Sequence, residues 1–274
     1  MPIHNKVVAV TGGGRGIGRS IAVLLSELGA HVAIGDLDAE AAAETGSTLG
    51  LKIATALDVT DEQSFRMFLD STEATLGPVD VLVNNAGIIS VGPFVEEPDA
   101  VTRRVLEVNA YGVMLGSKLA LARMRNRGSG HIINIASTSS LIAVPGVATY
   151  SATKHAVLGF TDALRLENRR SGVHFSVVLP ALTNTEMISG VGKVRGIKNI
   201  DPIDVARAVA RLIEKPRPRT IVPRSMGAIA LPGRKLLPRW AYESIERMLG
   251  GERVFQDDVN EERRTDYTRR IQGS

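Results

Sequence analysis

Tyr150 and Lys154 lie four residues apart in a run that reads as helix, which sets their side chains on one face about a turn apart. Thirteen residues before the tyrosine, Ser137 follows the apolar run His131–Ala136, which reads as a buried strand. A hydroxyl at a strand end can therefore meet a phenol and an ammonium at a helix start. An unperturbed phenol, with a pKa near ~10, is a weak base at neutral pH. A cation beside it favours phenolate, which predicts a lowered pKa and a tyrosine able to give and take a proton.

The elements that must position these groups follow from the apolar pattern. Lys6–Thr11 is a short apolar run that ends in Gly12-Gly13-Gly14-Arg15-Gly16-Ile17-Gly18, and Ser20–Leu28 continues at helical spacing. Strand, glycine turn, helix is the order a dinucleotide pyrophosphate requires: the glycines allow close backbone approach, and the helix N-terminus offers free N–H groups. The next strand, His31–Gly35, ends at Asp36, with Leu37 after it. A carboxylate there is placed to accept hydrogen bonds from an adenosine ribose diol and to repel a 2′-phosphate, which favours NAD. Arg15 could meet a phosphate, so NADP stays open. Helices are expected over Asp38–Leu49 and Asp61–Leu76, and strands over Ile53–Leu57, with Asp58-Val59 as its exit, and Val79–Val83. The last leads into Asn84-Asn85-Ala86-Gly87, which suits either a ligand-facing or a purely structural turn.

Helical patterns then cover 99–111 and 112–127, with Asn109 inside them against its low helix propensity. The Tyr150 helix runs to about Ser171, and the strand Val173–Leu179 ends in Pro180 through Thr185. Residues 186–200 are glycine-rich and aperiodic, which predicts a mobile lid. Asp201-Pro202 opens a helix to Glu214, and Thr220–Pro223 reads as an edge strand. Runs this apolar, alternating with helices, indicate a parallel sheet covered on both faces.

Composition narrows the class. At 274 residues and 44% hydrophobic content the chain can bury one large core, and it has no cysteine, which excludes disulfides and thiolate chemistry. No charged start precedes an apolar h-region, and no apolar run reaches the ~18 residues of a membrane span, so a cytoplasmic protein is expected. The five histidines are scattered without ligand spacing, and no catalytic metal is expected. Hydride exchange between a carbinol carbon and nicotinamide needs one proton moved, and Ser137 and Tyr150 can both donate to the carbonyl.

These motifs, in this order, resemble the short-chain dehydrogenase/reductase family from Lys6 to about Val222. The departure is Ala181, where the family usually has glycine. The resemblance implies an α/β, Rossmann-type, doubly wound sheet of about seven strands in a single domain, with a C-terminal extension over 223–274. It implies that Tyr150 is the general acid/base, that Ser137 orients the substrate oxygen, and that Lys154 binds the nicotinamide ribose and lowers the phenol pKa. Asn109 is implied to hold a water-mediated proton relay. By the same likeness Gly12, Arg15, Gly16, Ile17, Gly18, Asp36 and Leu37 line NAD. Asp58 and Val59 border the adenine, Asn85, Ala86 and Gly87 the adenosine side, and Pro180 and Thr185 the carboxamide. Relatives usually form homodimers or homotetramers through the helices spanning about 112–127 and 150–171.

The substrate is less legible. Leu141, Ile142, Val144 and Val147 read either as a greasy entrance or as core packing. From Lys215 to Arg239 there are seven basic residues and no acidic one, interleaved with apolar residues and prolines. That segment resembles tails of family members acting on lipophilic alcohols, implying a small lipophilic secondary alcohol or ketone and weak peripheral membrane contact over 215–240; no nucleic-acid partner is expected. Ala241–Leu249 is short and amphipathic, and Glu252–Gln272 reads as a charged surface helix or a disordered tail.

Overall fold

A computed structural model describes residues 2–192, 198–225, 254–256 and 259–272. Seven strands form one parallel sheet: β1 (Val7–Thr11), β2 (His31–Asp36), β3 (Ile53–Ala56), β4 (Val81–Asn84), β5 (Gly130–Ile135), β6 (Val173–Pro180) and β7 (Arg219–Val222). Their order is β3-β2-β1-β4-β5-β6-β7. The chain steps outward from β1 through β3, then returns to add β4 on the other side of β1. This reversal opens a crevice at the carboxyl ends of β1 and β4, where open α/β sheets bind ligands.

Strand periodicity divides the core. Val8 and Val10 face α1 (Gly16–Glu27) and α7 (Pro202–Glu214), packing with Ile21, Leu25, Val205 and Val209. Val7 and Ala9 face α3 (Glu62–Leu76) and α5 (Gly112–Arg127), packing with Phe65, Leu69, Leu119 and Met124. Each fully buried aliphatic contributes roughly 1.5–3 kcal/mol, so both faces are strongly specified. Helix α2 (Ala39–Leu49) starts at Asp38, whose side chain accepts from the Ala41 N–H, and α3 starts at Asp61, which accepts from Ser64 N–H. Gly116 lets α5 close on the sheet, because a Cβ there would lie 2.4 Å from Phe65 and 2.6 Å from the Asn84 side chain.

The helical pattern over 99–111 divides into α4 (Asp99–Leu106) and a π-turn over Glu107–Tyr111, which carries Asn109 into α5. The segment carrying Tyr150 and Lys154 forms α6 (Ala148–Glu167), which ends four residues before the expected Ser171. The edge strand begins one residue earlier than expected, and its Arg219 pairs with Asp162 of α6. Only one helical turn, Glu186–Ile188, forms in the described part of the expected lid; 193–197 lies outside the described residues. So do the basic stretch from 226 to 240 and the amphipathic 241–249. Among the described residues no helix is long and apolar enough to cross a membrane.

The charged end of the chain forms α8 (Glu261–Gln272). Of the two readings of this end the surface helix holds, but the helix is docked rather than free. Arg264 is 3% exposed, and Tyr267 reaches Ile89 above β4.

Candidate active site

The crevice deepens into a cavity of about 970 Å³. Of the residues expected to bind cofactor or act in catalysis, all except Gly18 and Asn109 line it. Those two support it from behind.

At the glycine turn, Gly12 has φ +65°, and a Cβ on it would lie 2.9 Å from Ala86 Cα. At Gly18 a Cβ would lie 1.9 Å from the Gly12 carbonyl, so this glycine lets α1 press against the turn rather than touching a ligand. Asn85 Nδ2 donates to the carbonyls of Thr11 and Gly12 at 2.9 and 3.0 Å, and Thr11 Oγ1 accepts from Asn85 and Ala86 N–H. The Asn85 amide is therefore engaged in lacing two strand tips together. No side chain caps the start of α1, which leaves its first-turn N–H groups facing the cavity mouth without a side-chain acceptor.

Asp36 is fixed by main chain: Oδ2 accepts from Gly14 N–H at 2.9 Å and Oδ1 from Asp38 N–H at 3.1 Å. Each oxygen retains a lone pair for a diol. Arg15, considered above as a phosphate ligand, instead pairs with Asp38 at 2.7 Å. Ala41 N–H chiefly, with Arg15 adding to it against the opposing effect of burial, holds the Asp38 carboxyl below its ordinary pKa. Asp58 Oδ1 accepts from the Thr60 N–H and hydroxyl at 2.9 and 2.6 Å, while Val59 is buried against Gly112. Thr185 approaches Gly16 from the opposite wall, within 3.3 Å of where a Cβ would stand. A glycine cradle with uncapped helix N–H groups and a fixed carboxylate matches what a dinucleotide needs, so the residues fit that cofactor.

At the other end, Ser137, Tyr150 and Lys154 converge. Ser137 leaves β5 in extended conformation (φ −164°), and its oxygen accepts from Ser139 N–H at 3.2 Å and hydrogen-bonds Tyr150. Lys154 Nζ lies 5.5 Å from the Tyr150 ring centroid and donates to Ile135 O at 3.1 Å. Asn109 Oδ1 accepts from Ile88 N–H at 2.8 Å, and its Nδ2 donates to Ile88 O at 2.7 Å and to Thr153. Its side chain is thus fully engaged, fixing the loop after β4 to α6. Thr149 Oγ1 and Thr102 Oγ1 both donate to Glu97, 2.6 Å each, which anchors the start of α6 just before Tyr150.

The electrostatics correct one expectation. Burial raises the Tyr150 pKa to about 12, opposed by the Ser137 hydrogen bond. Burial likewise lowers Lys154 to about 8. Proximity of a cation predicts a lowered phenol pKa, but both groups are desolvated by the same walls, and that effect is larger.

Ile142, Val144 and Val147 line the cavity, whereas Leu141 packs into the core against Val157 and Leu179, so each of the two readings of that segment holds for part of it. Ala181 donates its N–H to Val222 O at 2.8 Å, an amide that glycine would equally supply. Residues invisible to motif reasoning are Phe255, Arg264 and Tyr267. Tyr267 lies in the cluster with Tyr150, Leu182 and Met187. Its one sequence signal is an aromatic residue isolated in a charged helix.

A family model described as short chain dehydrogenase matches residues 6–195. The chain belongs to the short-chain dehydrogenase family. It is 31% identical over 269 residues to a probable oxidoreductase, EphD, of Mycobacterium tuberculosis, covering 89% of this chain and 45% of that protein. It thus spans less than half the length of that relative. Against 2-(S)-hydroxypropyl-CoM dehydrogenase 3 of Xanthobacter autotrophicus it is 37% identical over 190 residues, covering 68% of this chain and 74% of that one. A 3-ketoacyl-(acyl-carrier-protein) reductase from Brucella melitensis, solved with NADH, superposes with a TM-score of 0.74 at 26% identity, covering 81% of this chain and 99% of that one.

Proposed function

We propose that this dehydrogenase interconverts a lipophilic secondary alcohol and its ketone, with NAD(H) as the hydride carrier. The observation that carries the reading is one cavity joining the glycine turn and Asp36 to Ser137, Tyr150 and Lys154. Bound NAD(H) supplies the hydride acceptor or donor. NAD over NADP is supported by Asp36, whose carboxylate faces the cavity, and by Arg15, which is paired with Asp38 instead of being held for a phosphate.

In ketone reduction, Ser137 and Tyr150 would both hydrogen-bond the carbonyl oxygen, and Tyr150 would give that oxygen its proton to complement the hydride that NADH would supply. A phenol held near 12 is a competent donor at neutral pH. Alcohol oxidation runs the same transfer backwards, and the nearby Lys154 ammonium stabilises the phenolate. Asn109, carried on its π-turn, keeps the loop after β4 in place through its two hydrogen bonds to Ile88. The apolar wall of Ile89, Val144, Val147, Leu182 and Met187 supports a lipophilic substrate.

Two copies pair through α5 and α6, a reading supported by family likeness and by Tyr111 and Leu166, exposed at 49% and 46%. Light scattering that reports a monomer removes it. The activity test is a panel of secondary alcohols and ketones followed at the nicotinamide absorbance band with all four cofactor forms. Turnover with NAD(H) that vanishes in Tyr150→Phe is expected. Activity confined to NADP(H) removes the role given to Asp36, and silence across the panel removes the function.

A further inference from the structure

Beyond Tyr150 the cavity becomes apolar, walled by Ile89, Val144, Val147, Leu182, Met187 and Phe255. The C-terminal helix sets the Tyr267 hydroxyl in this wall, with Arg270 of the same helix also lining the cavity. Ile89 N–H donates to the Tyr267 hydroxyl oxygen at 2.8 Å. A phenol that accepts a hydrogen bond keeps its own proton to give, and among the described residues nothing receives it. Burial holds the Tyr267 pKa above its ordinary value, with the nearby Tyr150 also raising it, so the group stays a neutral donor.

The position of this hydroxyl is fixed from several sides. Arg264 and Arg270 lie 5.0 and 6.0 Å from the Tyr267 ring centre. Arg264 Nη1 donates to the carbonyls of Met187 and Ser189 at 3.1 and 3.0 Å, and Arg270 pairs with Glu186 at 2.7 Å. Asn260 N–H donates to Gly190 O at 2.8 Å, and a Cβ on Gly190 would stand 2.4 Å from Asn260 O. Helix α8 and the outer wall over 186–190 are thus one assembly, with the phenol aimed into the chamber they close. A fixed donor with an unused proton in a largely apolar wall is the usual form of a specificity contact.

Resting on the alcohol–ketone reading above, we propose that Tyr267 is a substrate-positioning residue whose hydroxyl donates to a second oxygen carried near the reacting carbon. The substrate class is then a lipophilic hydroxyketone, or its diol, rather than a plain aliphatic ketone. Ile89 N–H orients the phenol, the second oxygen takes its proton, and the reacting carbonyl is turned toward Ser137 and Tyr150. No bond is made or broken at Tyr267.

The test compares the full-length wild type with Tyr267→Phe, using 2-heptanone, 3-hydroxy-2-heptanone and 4-hydroxy-2-heptanone with NADH. Binding of the same ketones is followed in parallel by quenching of bound NADH fluorescence. The wild type should prefer at least one hydroxyketone over 2-heptanone in kcat/KM. Loss of the hydroxyl should shrink that preference roughly 3- to 30-fold, mainly through KM. The readout is a ratio between two substrates, which a general loss of activity or stability leaves unmoved, and NADH affinity reports folding. A wild type without the preference, or a variant that retains it, overturns the assignment of Tyr267 while the alcohol–ketone function stands. A wild type that binds NADH yet neither reduces nor binds any of the three ketones overturns that function and the inference with it.

Discussion

Replacing Lys154 with methionine should make the cofactor-free protein more stable while removing its catalysis. Lys154 is 3% exposed, and burial lowers its pKa from 10.5 to about 8. At about 1.4 kcal/mol per pH unit, that drop amounts to roughly 3 kcal/mol of destabilisation from keeping an ammonium in the chamber wall. Methionine keeps most of the stem's packing but loses the hydrogen bond to Ile135 O, worth about 1 kcal/mol. A net gain of about 2 kcal/mol follows, or very roughly 4–8 °C in Tm for a domain of this size. Below pH 8 the lysine is protonated in both folded and unfolded states, and the folded state bears the whole penalty. Between 8 and 10.5 the folded protein releases the proton while the unfolded chain keeps it, so wild-type stability rises with pH. Above 10.5 the lysine is neutral in both, and the advantage of Lys154→Met should be gone. Urea melts of both proteins at pH 7 and pH 10, taken as differences so that other groups cancel, measure this directly. A variant less stable at pH 7, or an advantage that does not shrink toward pH 10, would falsify the claim that this ammonium is stored at a cost to the fold.

Tyr150→Phe should lower kcat by a factor of a thousand or more with NADH affinity kept within about threefold, because only the proton donor is lost; a fluorescence titration showing lost NADH binding would count against that role. Asp36→Ala should weaken NAD and relax the choice between NAD and NADP, since the carboxylate fixed by Gly14 N–H is also the group that repels a 2′-phosphate; unchanged dissociation constants for both cofactors would remove it from the site. Gly18→Ala should cost several kcal/mol or prevent NADH binding, because its Cβ would stand 1.9 Å from the Gly12 carbonyl; a variant that melts and binds like wild type would show that α1 can shift freely against the turn.

The sheet was readable from the sequence because each strand is a continuous apolar run bounded by a turn signal, as in Lys6–Thr11 before the glycines. The nucleotide turn and the Ser137, Tyr150, Lys154 set were readable because local geometry alone brings them to strand tips and a helix start. The raised phenol pKa is not legible in the sequence for a physical reason: proximity of a cation is visible in spacing, whereas desolvation depends on walls contributed by distant segments. Asn109 drew notice through its poor helix propensity, but the π-turn that accommodates it and the Ile88 contacts that engage its amide are tertiary. Helix α8 was unreadable as part of the site. Its composition is that of a solvated helix, and its decisive contact, Tyr267 to Ile89, joins positions 178 residues apart.

The two ends of the cavity are built by different physics, and that separates their consequences. The dinucleotide end stands on strand tips whose hydrogen bonds belong to the sheet, so it is as stable as the core itself. The apolar end is closed by α8, where a buried guanidinium, Arg264, must find carbonyls or lose far more than it gains. Met187 O and Ser189 O are those carbonyls, and they lie in the outer wall of the chamber. Docking of the helix therefore orders the wall, and ordering of the wall satisfies the arginine, which makes the two cooperative. Changes in α8 should accordingly move substrate selectivity far more than cofactor affinity, because Asp36 and the glycine turn touch the α8-held wall only through Thr185, which stands against Gly16 and precedes the Arg270 partner Glu186.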